Sequence, residues 1–319
     1  MIVQEDDAGA SPSAPRAHAE AFRYTLAVIR DIQARTLLSR VDEIDMWFGL
    51  DFGMNLYRGC QHHCIYCDSR SACYGNDRFD EDICVKRNAI DVLREELRRK
   101  RKKGVVGTGS MNDPYMPAEA DERLTQRALE LLAEYGFGVH VITKSTLVLR
   151  DVSLLQKVAR RSTAAVSLTI TTLDDELARI VEPGAPPPSD RLRALRELAD
   201  AGIEARVALM PVLPFLEDSW DAVRCLVERA HSAGVQAIVA SFGVTMRDRQ
   251  REYFYARLDE NFPGLRRIYQ ERFGDRYVCA APEAETLRAR FEELCAAHGM
   301  RTSVRPLLAP SATELPLLA

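Results

Sequence analysis

Three of the eight cysteines in this 319-residue chain fall within eight residues, at Cys60, Cys64 and Cys67. The other five are scattered at spacings that no ligand-binding loop requires. Cysteine thiolates hold iron–sulfur clusters, and a four-iron cluster held by only three thiolates keeps one iron open to another ligand. The spacing therefore predicts a 4Fe-4S cluster with one open iron.

A structural zinc loop and ordinary buried thiols are the alternatives for these three cysteines. Four-thiolate zinc sites usually use a second Cys-x-x-Cys pair, and the chain has none. His62 and His63 lie between the first two cysteines. We expect these histidines to face solvent or to contact the cluster ligands, rather than to bind metal themselves.

The elements that must position the cysteines follow a recurring pattern. From residue 81 onward, an amphipathic helix, a glycine and a short β-branched run alternate, as in α/β units. Helices are predicted over about 81–103, 124–135, 152–159, 189–201 (with Ser189 as N-cap) and 220–233, and strands over 53–57, 105–107, 139–143, 164–171, 203–209 and 235–239. These six strands predict an α/β fold, and we favour a partial (β/α)6 TIM-like barrel over a doubly wound sheet.

In such barrels, reactive groups lie on loops after the C-terminal ends of strands, and the cysteines follow the first predicted strand. Residues 1–20 are interpreted as a mobile tail, 21–50 as an N-terminal extension and 51–245 as the barrel core. Residues 246–319 are expected to form a C-terminal helical segment, rich in aromatic residues, that covers the barrel.

Composition limits the class of protein. Hydrophobic residues make up 46% and charged residues 28% of the chain, as in ordinary globular proteins. No run approaches the roughly 18 apolar residues of a membrane span, so we expect a cytoplasmic protein with no membrane partner. The net charge of −4 lacks the basic character typical of phosphate-neutralising proteins, and the basic run at residues 98–103 is interpreted as a solvated helix end.

The residues Cys60, Cys64, Tyr66 and Cys67 resemble the signature of the radical SAM superfamily. The resemblance implies that these three thiolates bind a 4Fe-4S cluster and that S-adenosylmethionine binds the open iron. Further segments resemble the branch that contains spore photoproduct lyase: residues 55–60, 66–68, 112–115, 143–145 and 182–186.

The resemblance also implies positions for S-adenosylmethionine contacts. Tyr66 would lie beside the adenine, and the loop containing Gly109 and Ser110 would bind the methionine amino group. Lys144 would bind the carboxylate, Ser167 the ribose, and the backbone of residues 239–242 the adenine. The resemblance assigns no catalytic residue. Separately, an ion pair between Glu182 and Arg191 is predicted to order the proline-rich loop at 183–188.

The function that the resemblance implies is reductive cleavage of S-adenosylmethionine to a 5′-deoxyadenosyl radical, which abstracts hydrogen from a substrate. An electron donor such as flavodoxin or ferredoxin would be a partner. Lyase-type DNA lesion repair, with nucleic acid as partner, is one such reaction; modification of RNA, peptide or a small molecule is an alternative. A non-enzymatic iron–sulfur redox sensor is another, and it would not cleave S-adenosylmethionine.

One departure from the lyase concerns the hydrogen donor. Spore photoproduct lyase uses a cysteine in the loop after the second strand, whereas this chain has no cysteine between Cys84 and Cys225. Thr108 and Ser110 cannot replace a thiol, because an O–H bond is far harder to break homolytically. We therefore expect a substrate other than spore photoproduct.

Overall fold

The computed structural model describes residues 28–41 and 47–303, so the tail predicted at residues 1–20 lies outside the described residues. The strands are β1 (Val28–Ile32), β2 (Leu38–Arg40), β3 (Phe52–Met54), β4 (Tyr57–Arg58), β5 (Asp82–Lys86), β6 (Val105–Thr108), β7 (Gly138–Thr143), β8 (Ala164–Thr169), β9 (Glu204–Leu209), β10 (Ala237–Ala240), β11 (Gly243–Thr245) and β12 (Val278–Ala280). The α-helices are α1 (Ala89–Arg99), α2 (Glu119–Glu122), α3 (Leu124–Tyr135), α4 (Val152–Ala159), α5 (Asp175–Val181), α6 (Pro188–Asp200), α7 (Trp220–Ser232), α8 (Asp248–Asn261), α9 (Leu265–Phe273) and α10 (Ala284–Ala297).

The main sheet has the strand order β10-β9-β8-β7-β6-β3-β2. Each strand from β3 to β10 along this order pairs in parallel with its neighbour, while β2 adds an antiparallel edge to β3. Helices separate successive parallel strands along the chain. The six alternating strands confirm the predicted α/β fold, a partial (β/α)6 barrel.

The central strands are buried on both faces, but the two faces differ in chemistry. Val139 and Val141 of β7 belong to the hydrophobic core, which the helices share. His140 lies between them and points to the opposite face, because side chains alternate along a strand. There it meets Ser167 of β8. The helix-facing side is therefore apolar, while the inner side carries polar groups.

The helix predicted over residues 81–103 is wrong in its first part. Residues Asp82–Lys86 form β5, which pairs with β1 and β4, and α1 begins only at Ala89. Ile83 and Val85 are buried between partly exposed neighbours, which is the alternation of a half-buried strand. The seven-residue spacing of Ile83 and Ile90 also fits two helical turns, and this coincidence misled the prediction.

Ser189 is not an N-cap, contrary to the prediction. Helix α6 begins at Pro188 and Pro187 holds the cap position, because proline's fixed φ suits the first helical turn. The Ser189 hydroxyl instead donates to Asp175 Oδ2 at 2.7 Å. This bond links the start of α6 to α5.

The described residues after β11 pack in two places. Helices α8 and α9 contribute Phe254, Tyr269 and Phe273 to a core cluster that includes Ile65 and Tyr66 of the cysteine loop. Helix α10 packs against α7. Aromatic residues of the C-terminal part thus form core, and α8 and α9 cover the cysteine loop.

The basic run at residues 98–103 begins in the last two residues of α1 and continues into the turn before β6. It is therefore at the N-terminal end of the parallel strands, away from the cysteine loop. Among the helices described in the structure, none is long and apolar enough to span a membrane.

Candidate functional site

The three clustered cysteines occupy the loop that follows β3 and β4, at the C-terminal end of the parallel strands. Gly59 allows the chain to enter this loop: its φ is 81°, and a Cβ there would lie 2.5 Å from the Asp82 carbonyl oxygen. Cys60 and Cys64 are buried, Cys67 is partly buried, and all three are free thiols. The loop thus presents three thiols at the mouth of the barrel.

The chemistry of these thiols fits a cluster. Burial raises the pKa of all three, to about 12 for Cys64, so a bound metal group must displace their protons. Within residues 28–41 and 47–303, no three His, Cys, Asp or Glu side chains converge on one metal-ion position. In a four-iron cluster each thiolate binds a different iron, so its ligands surround the cluster rather than converge.

His62 fixes the cysteine loop to two neighbouring loops. The buried imidazole places Nδ1 2.9 Å from the Gly184 carbonyl oxygen and Nε2 3.0 Å from Asp113 Oδ2. The Gly184 N–H also donates to the His62 carbonyl at 2.9 Å, and a Cβ on Gly184 would lie 2.2 Å from the Gln61 carbonyl oxygen. His62 is therefore buried rather than facing solvent, and its ring contacts Gly184 and Asp113.

Asp113 joins the loops after β6 and β7. Its carboxylate accepts hydrogen bonds from the Thr143 hydroxyl at 2.6 Å and from the Lys144 N–H at 2.7 Å. Burial favours the neutral acid, but the charge and hydrogen bond of His62, together with these donors, lower the pKa of Asp113 to about 2. An ionised carboxylate therefore holds the loop that presents the Lys144 side chain.

Glu182 is the centre of a buried charge group. Its carboxylate accepts a hydrogen bond from the Tyr66 hydroxyl, lies 2.6 Å from Arg191 Nη1 and lies 3.7 Å from Lys144 Nζ. Burial raises the pKa of Glu182, but Arg191 and Lys144 outweigh it and lower the pKa overall. The predicted Glu182–Arg191 ion pair is confirmed, and it brings together two predicted site residues, Tyr66 and Lys144.

This charge group has capacity to bind an anion. Two cations share one carboxylate, so one positive charge is not compensated within the group. The Lys144 ammonium lies 5.6 Å from the centre of the Tyr66 ring, and its distance to Glu182 is too long for a hydrogen bond. Arg191 Nη2 is buried without a hydrogen-bond partner among the described residues. Both cations therefore keep N–H groups that are not used in hydrogen bonds among the described residues.

Gly109 brings the loop after β6 against the end of β7. Its φ is 104°, and a Cβ would lie 1.9 Å from the Ile142 carbonyl oxygen. Only glycine fits this close approach. The next residue, Ser110, is exposed, so its hydroxyl is accessible at the mouth of the barrel. Both residues are where a ligand above the strand ends could reach them.

Ser167 lies within a strand rather than in a loop at the mouth of the barrel. It is fully buried in β8, which continues to Thr169, so it does not end the strand. Its Oγ lies 2.8 Å from His140 Nε2. Burial and the nearby charge of Arg206 hold the pKa of His140 well below its usual range, so the imidazole is neutral. Because β7 and β8 are buried on both faces, their sequences show no alternation of polar and apolar residues that would predict this inner-face pair.

The residues 239–242, expected to offer backbone groups, span the end of β10 and the turn after it. The Ser241 carbonyl accepts a hydrogen bond from the Val212 N–H at 2.9 Å, and the Ser241 N–H donates to the Leu209 carbonyl at 3.0 Å. The backbone of Ser241 is therefore already bonded to the last residue of β9 and to the chain just after it.

Helix α8 closes the outer side of the cysteine loop. The buried Gln250 side chain donates to the Tyr66 carbonyl at 3.1 Å, and the Arg70 guanidinium lies 3.7 Å from the centre of the Tyr253 ring. Arg70 also donates to the Cys64 carbonyl at 3.3 Å. The loop is thus held in part by side chains that bond the backbone carbonyls of Cys64 and Tyr66.

Residues 54–226, more than half of the chain, match the family model of the radical SAM superfamily. An uncharacterised protein of Mycobacterium tuberculosis is 33% identical over 274 residues, which are 84% of this chain and 79% of that protein. An uncharacterised protein of Methanocaldococcus jannaschii is 33% identical over 53% of this chain and 63% of its own length.

Among solved structures, spore photoproduct lyase complexed with dinucleoside spore photoproduct aligns with a TM-score of 0.61 and 16% identity. The alignment covers 86% of this chain and 81% of that one. At this identity the likeness concerns the fold, which is that of the spore photoproduct lyase-like group that the sequence resembles. With a family match across the barrel and three thiols at its mouth, the chain belongs to the radical SAM superfamily.

Proposed function

We propose that this protein is a radical SAM enzyme in which Cys60, Cys64 and Cys67 bind a 4Fe-4S cluster. The observation that carries the proposal is the juxtaposition of these thiols with the charge group of Tyr66, Lys144, Glu182 and Arg191. Tyr66 lies between Cys64 and Cys67 in the chain, and its hydroxyl donates to the Glu182 carboxylate, which is 3.7 Å from Lys144 Nζ, so the ammonium lies near the thiol loop. A ligand of the open iron with a carboxylate would meet this cation.

Cys60, Cys64 and Cys67 would hold the cluster, and the reduced cluster would supply the electron that splits S-adenosylmethionine into methionine and a 5′-deoxyadenosyl radical for hydrogen abstraction from the substrate. The chain's own residues bind and orient. Lys144 binds the methionine carboxylate, Ser110 and the backbone around Gly109 receive the amino group, and the Tyr66 ring lies beside the adenine.

Water must be kept from the radical, and the packing around Tyr66 helps to exclude it. Tyr66 is buried, its hydroxyl donates to Glu182, and its carbonyl accepts from Gln250. Helices α8 and α9 pack behind it. Because its hydroxyl and its carbonyl are both held by the protein, the Tyr66 ring is held in one orientation beside the cluster loop.

The ribose contact proposed for Ser167 has a structural constraint. The hydroxyl already shares a hydrogen bond with His140. A neutral imidazole has one donor and one acceptor nitrogen, so Nε2 can donate to Ser167 and leave the serine proton free for a ligand. We propose that this pair acts together if the ribose reaches that depth.

The test is anaerobic reconstitution with iron and sulfide, reduction with dithionite and addition of S-adenosylmethionine, with chromatography for 5′-deoxyadenosine and methionine. We expect both products from the wild type, and none from Cys60→Ala, Cys64→Ala or Cys67→Ala. Cys225→Ala is the matched control, because Cys225 is a partly buried thiol on α7, and it should retain iron and product formation.

Two results would count against the proposal. A full complement of cluster iron and sulfide in Cys64→Ala would show that the cluster is held elsewhere. An intact cluster in the wild type without 5′-deoxyadenosine would instead support the redox-sensor alternative.

The substrate class is a narrower question. Spore photoproduct repair by a thiol hydrogen donor is not proposed, because Thr108, Gly109 and Ser110 occupy the loop after β6. Lyase-type repair of another DNA lesion, with flavodoxin or ferredoxin as electron donor, is the reaction that we propose to test first. Its support is the shared fold, and damaged oligonucleotides in the same assay test it by substrate-dependent product formation.

A further inference from the structure

A cavity lies beside the cysteine loop. It has a volume of about 250 Å³, and its lining includes Arg58, Gly59, Lys86 and Asn112. Gly59 immediately precedes Cys60, and the Cys60 N–H donates to the carbonyl of Phe79, which also lines the cavity. The cavity and the cysteine loop therefore share a wall.

The lining of this cavity is positively charged. It contains the cations Arg58 and Lys86 and no carboxylate side chain. The two residues lie on paired strands, with Arg58 opposite Cys84 on the face of β5 that Lys86 also occupies. Burial, and secondarily the charge of Arg58, lower the pKa of Lys86. Two neighbouring cations without a local anion are unfavourable, and a bound anion would relieve the repulsion.

The donors of both cations are only partly used. Lys86 Nζ donates one hydrogen bond, to the Asn55 carbonyl at 2.6 Å, and an ammonium has three donors. The Arg58 side chain is exposed, and its guanidinium fork suits the paired oxygens of a phosphate. These groups match an anion with several acceptor oxygens.

One side-chain amide atom of each of two asparagines at the cavity wall lacks a hydrogen-bond partner within the described residues. Asn55 Oδ1 and Asn76 Nδ2 are buried, and neither has a hydrogen-bond partner within the described part of the chain. A buried polar atom without a partner is costly, so each is explained best by a group that binds there. The pair offers one acceptor and one donor, which suits a hydroxyl or a base edge next to the anion.

We propose that this cavity binds a phosphate ester of the substrate, as part of a nucleotide unit. Arg58 and Lys86 bind the phosphate oxygens, and the amides of Asn55 and Asn76 bind the adjoining sugar or base. The assignment of this ligand as substrate rests on the proposed function, because the shared wall at Gly59 would place the nucleotide beside the radical. The binding itself does not depend on it.

The test is anaerobic isothermal titration of the reconstituted protein at fixed salt. The probes are inorganic phosphate, thymidine, thymidine monophosphate and a single-stranded thymidine hexanucleotide. We expect the phosphate-bearing probes to bind and thymidine to bind at least tenfold more weakly. Arg58→Gln and Lys86→Gln should each raise the Kd for the phosphate-bearing probes about tenfold or more. If the monophosphate binds more tightly than the hexanucleotide, the substrate is a small phosphorylated molecule. If the hexanucleotide binds more tightly, the substrate is a nucleic acid strand.

Arg78→Gln is the matched control, since Arg78 is an exposed cation of the same loop that pairs with Glu81. Its Kd values should equal those of the wild type. The proposal is overturned if thymidine binds as tightly as its monophosphate, or if Arg78→Gln weakens binding as much as Arg58→Gln. Equal iron content and unfolding midpoints show that the variants are folded. Because no S-adenosylmethionine cleavage is measured, failure here is distinct from failure of the proposed function.

Discussion

The two ends of the barrel both carry dense charge, but they hold it differently. At the mouth, the side chains of Glu182 and Arg191 are each 1% exposed and 2.6 Å apart. At the opposite end, Arg98 and Arg99 are 64% and 75% exposed and reach the same Glu95. Solvent screens the second group and not the first. The more conspicuous charge run in the sequence is thus the less constrained one in the structure.

The largest expected difference between the two ends concerns their carboxylates. Glu182→Gln leaves Arg191 and Lys144 without their buried counter-ion, and breaking a buried pair in this way costs about 3 to 5 kcal/mol. Glu95→Gln removes an exposed partner and should leave the unfolding midpoint unchanged. Urea unfolding of both variants measures the contrast. Equal effects would contradict the distinction between the two ends.

The next effect is the pH dependence that Asp113 contributes. Its pKa of about 2 lies below the ordinary 3.8, so the ionised form stabilises the fold above about pH 4. That stabilisation, about 2 kcal/mol for a shift of nearly two pKa units, is lost as the pH falls from 4 to 2. Urea unfolding at several pH values should show the gap between wild type and Asp113→Asn narrowing over this window. A gap independent of pH would refute the assignment.

A smaller effect separates two glycines with positive φ. At the mouth, a Cβ on Gly109 would lie 1.9 Å from the Ile142 carbonyl oxygen, whereas a Cβ on Gly202, at the far end with φ of 75°, would meet nothing within 4 Å. Gly109→Ala should therefore destabilise the fold about 1 to 3 kcal/mol more than Gly202→Ala. It should also weaken S-adenosylmethionine binding, measured by equilibrium dialysis, which Gly202→Ala should not change.

The smallest effect is expected in the basic run. Arg101→Gln and Lys102→Gln remove exposed charges at the end remote from the thiols, so nucleotide affinity and 5′-deoxyadenosine formation should match those of the wild type. A tenfold loss of oligonucleotide affinity would move the nucleic-acid contact to this end and away from the cavity at Arg58.

Much of the barrel could be predicted from local sequence, because the same pattern of an apolar helix, a turn and a short apolar strand recurs along the chain. Helices α3 and α4 and strands β7 and β9 appear within a residue or two of the predicted bounds, since each has an apolar period closed by a turn or a glycine. Strand β5 was assigned to a helix because its residues also fit a helical period, and its partners β1 and β4 come from distant sequence. Pairing of that kind is decided by tertiary contacts.

The site divides in the same way. The spacing of Cys60, Cys64 and Cys67 is local, so the sequence alone predicts a three-thiol cluster loop, and the Glu182–Arg191 pair could be anticipated from nearby residues. The link from His62 to Asp113 spans 51 positions, and the link from Tyr66 to Glu182 spans 116. No local pattern encodes such links. They arise when the strand ends bring separate loops together.

The order of residues along the chain was enough to establish the alternation of helices and strands, the thiol loop and the resemblance to the radical SAM superfamily, because these depend on sequence neighbours. The folded chain was needed to show that Lys144 shares Glu182 with Arg191, that Ser167 is bonded to His140, and that a cationic cavity adjoins the thiols. Burial and the register of the parallel strands fix these contacts, and both are properties of the packed barrel rather than of any one segment.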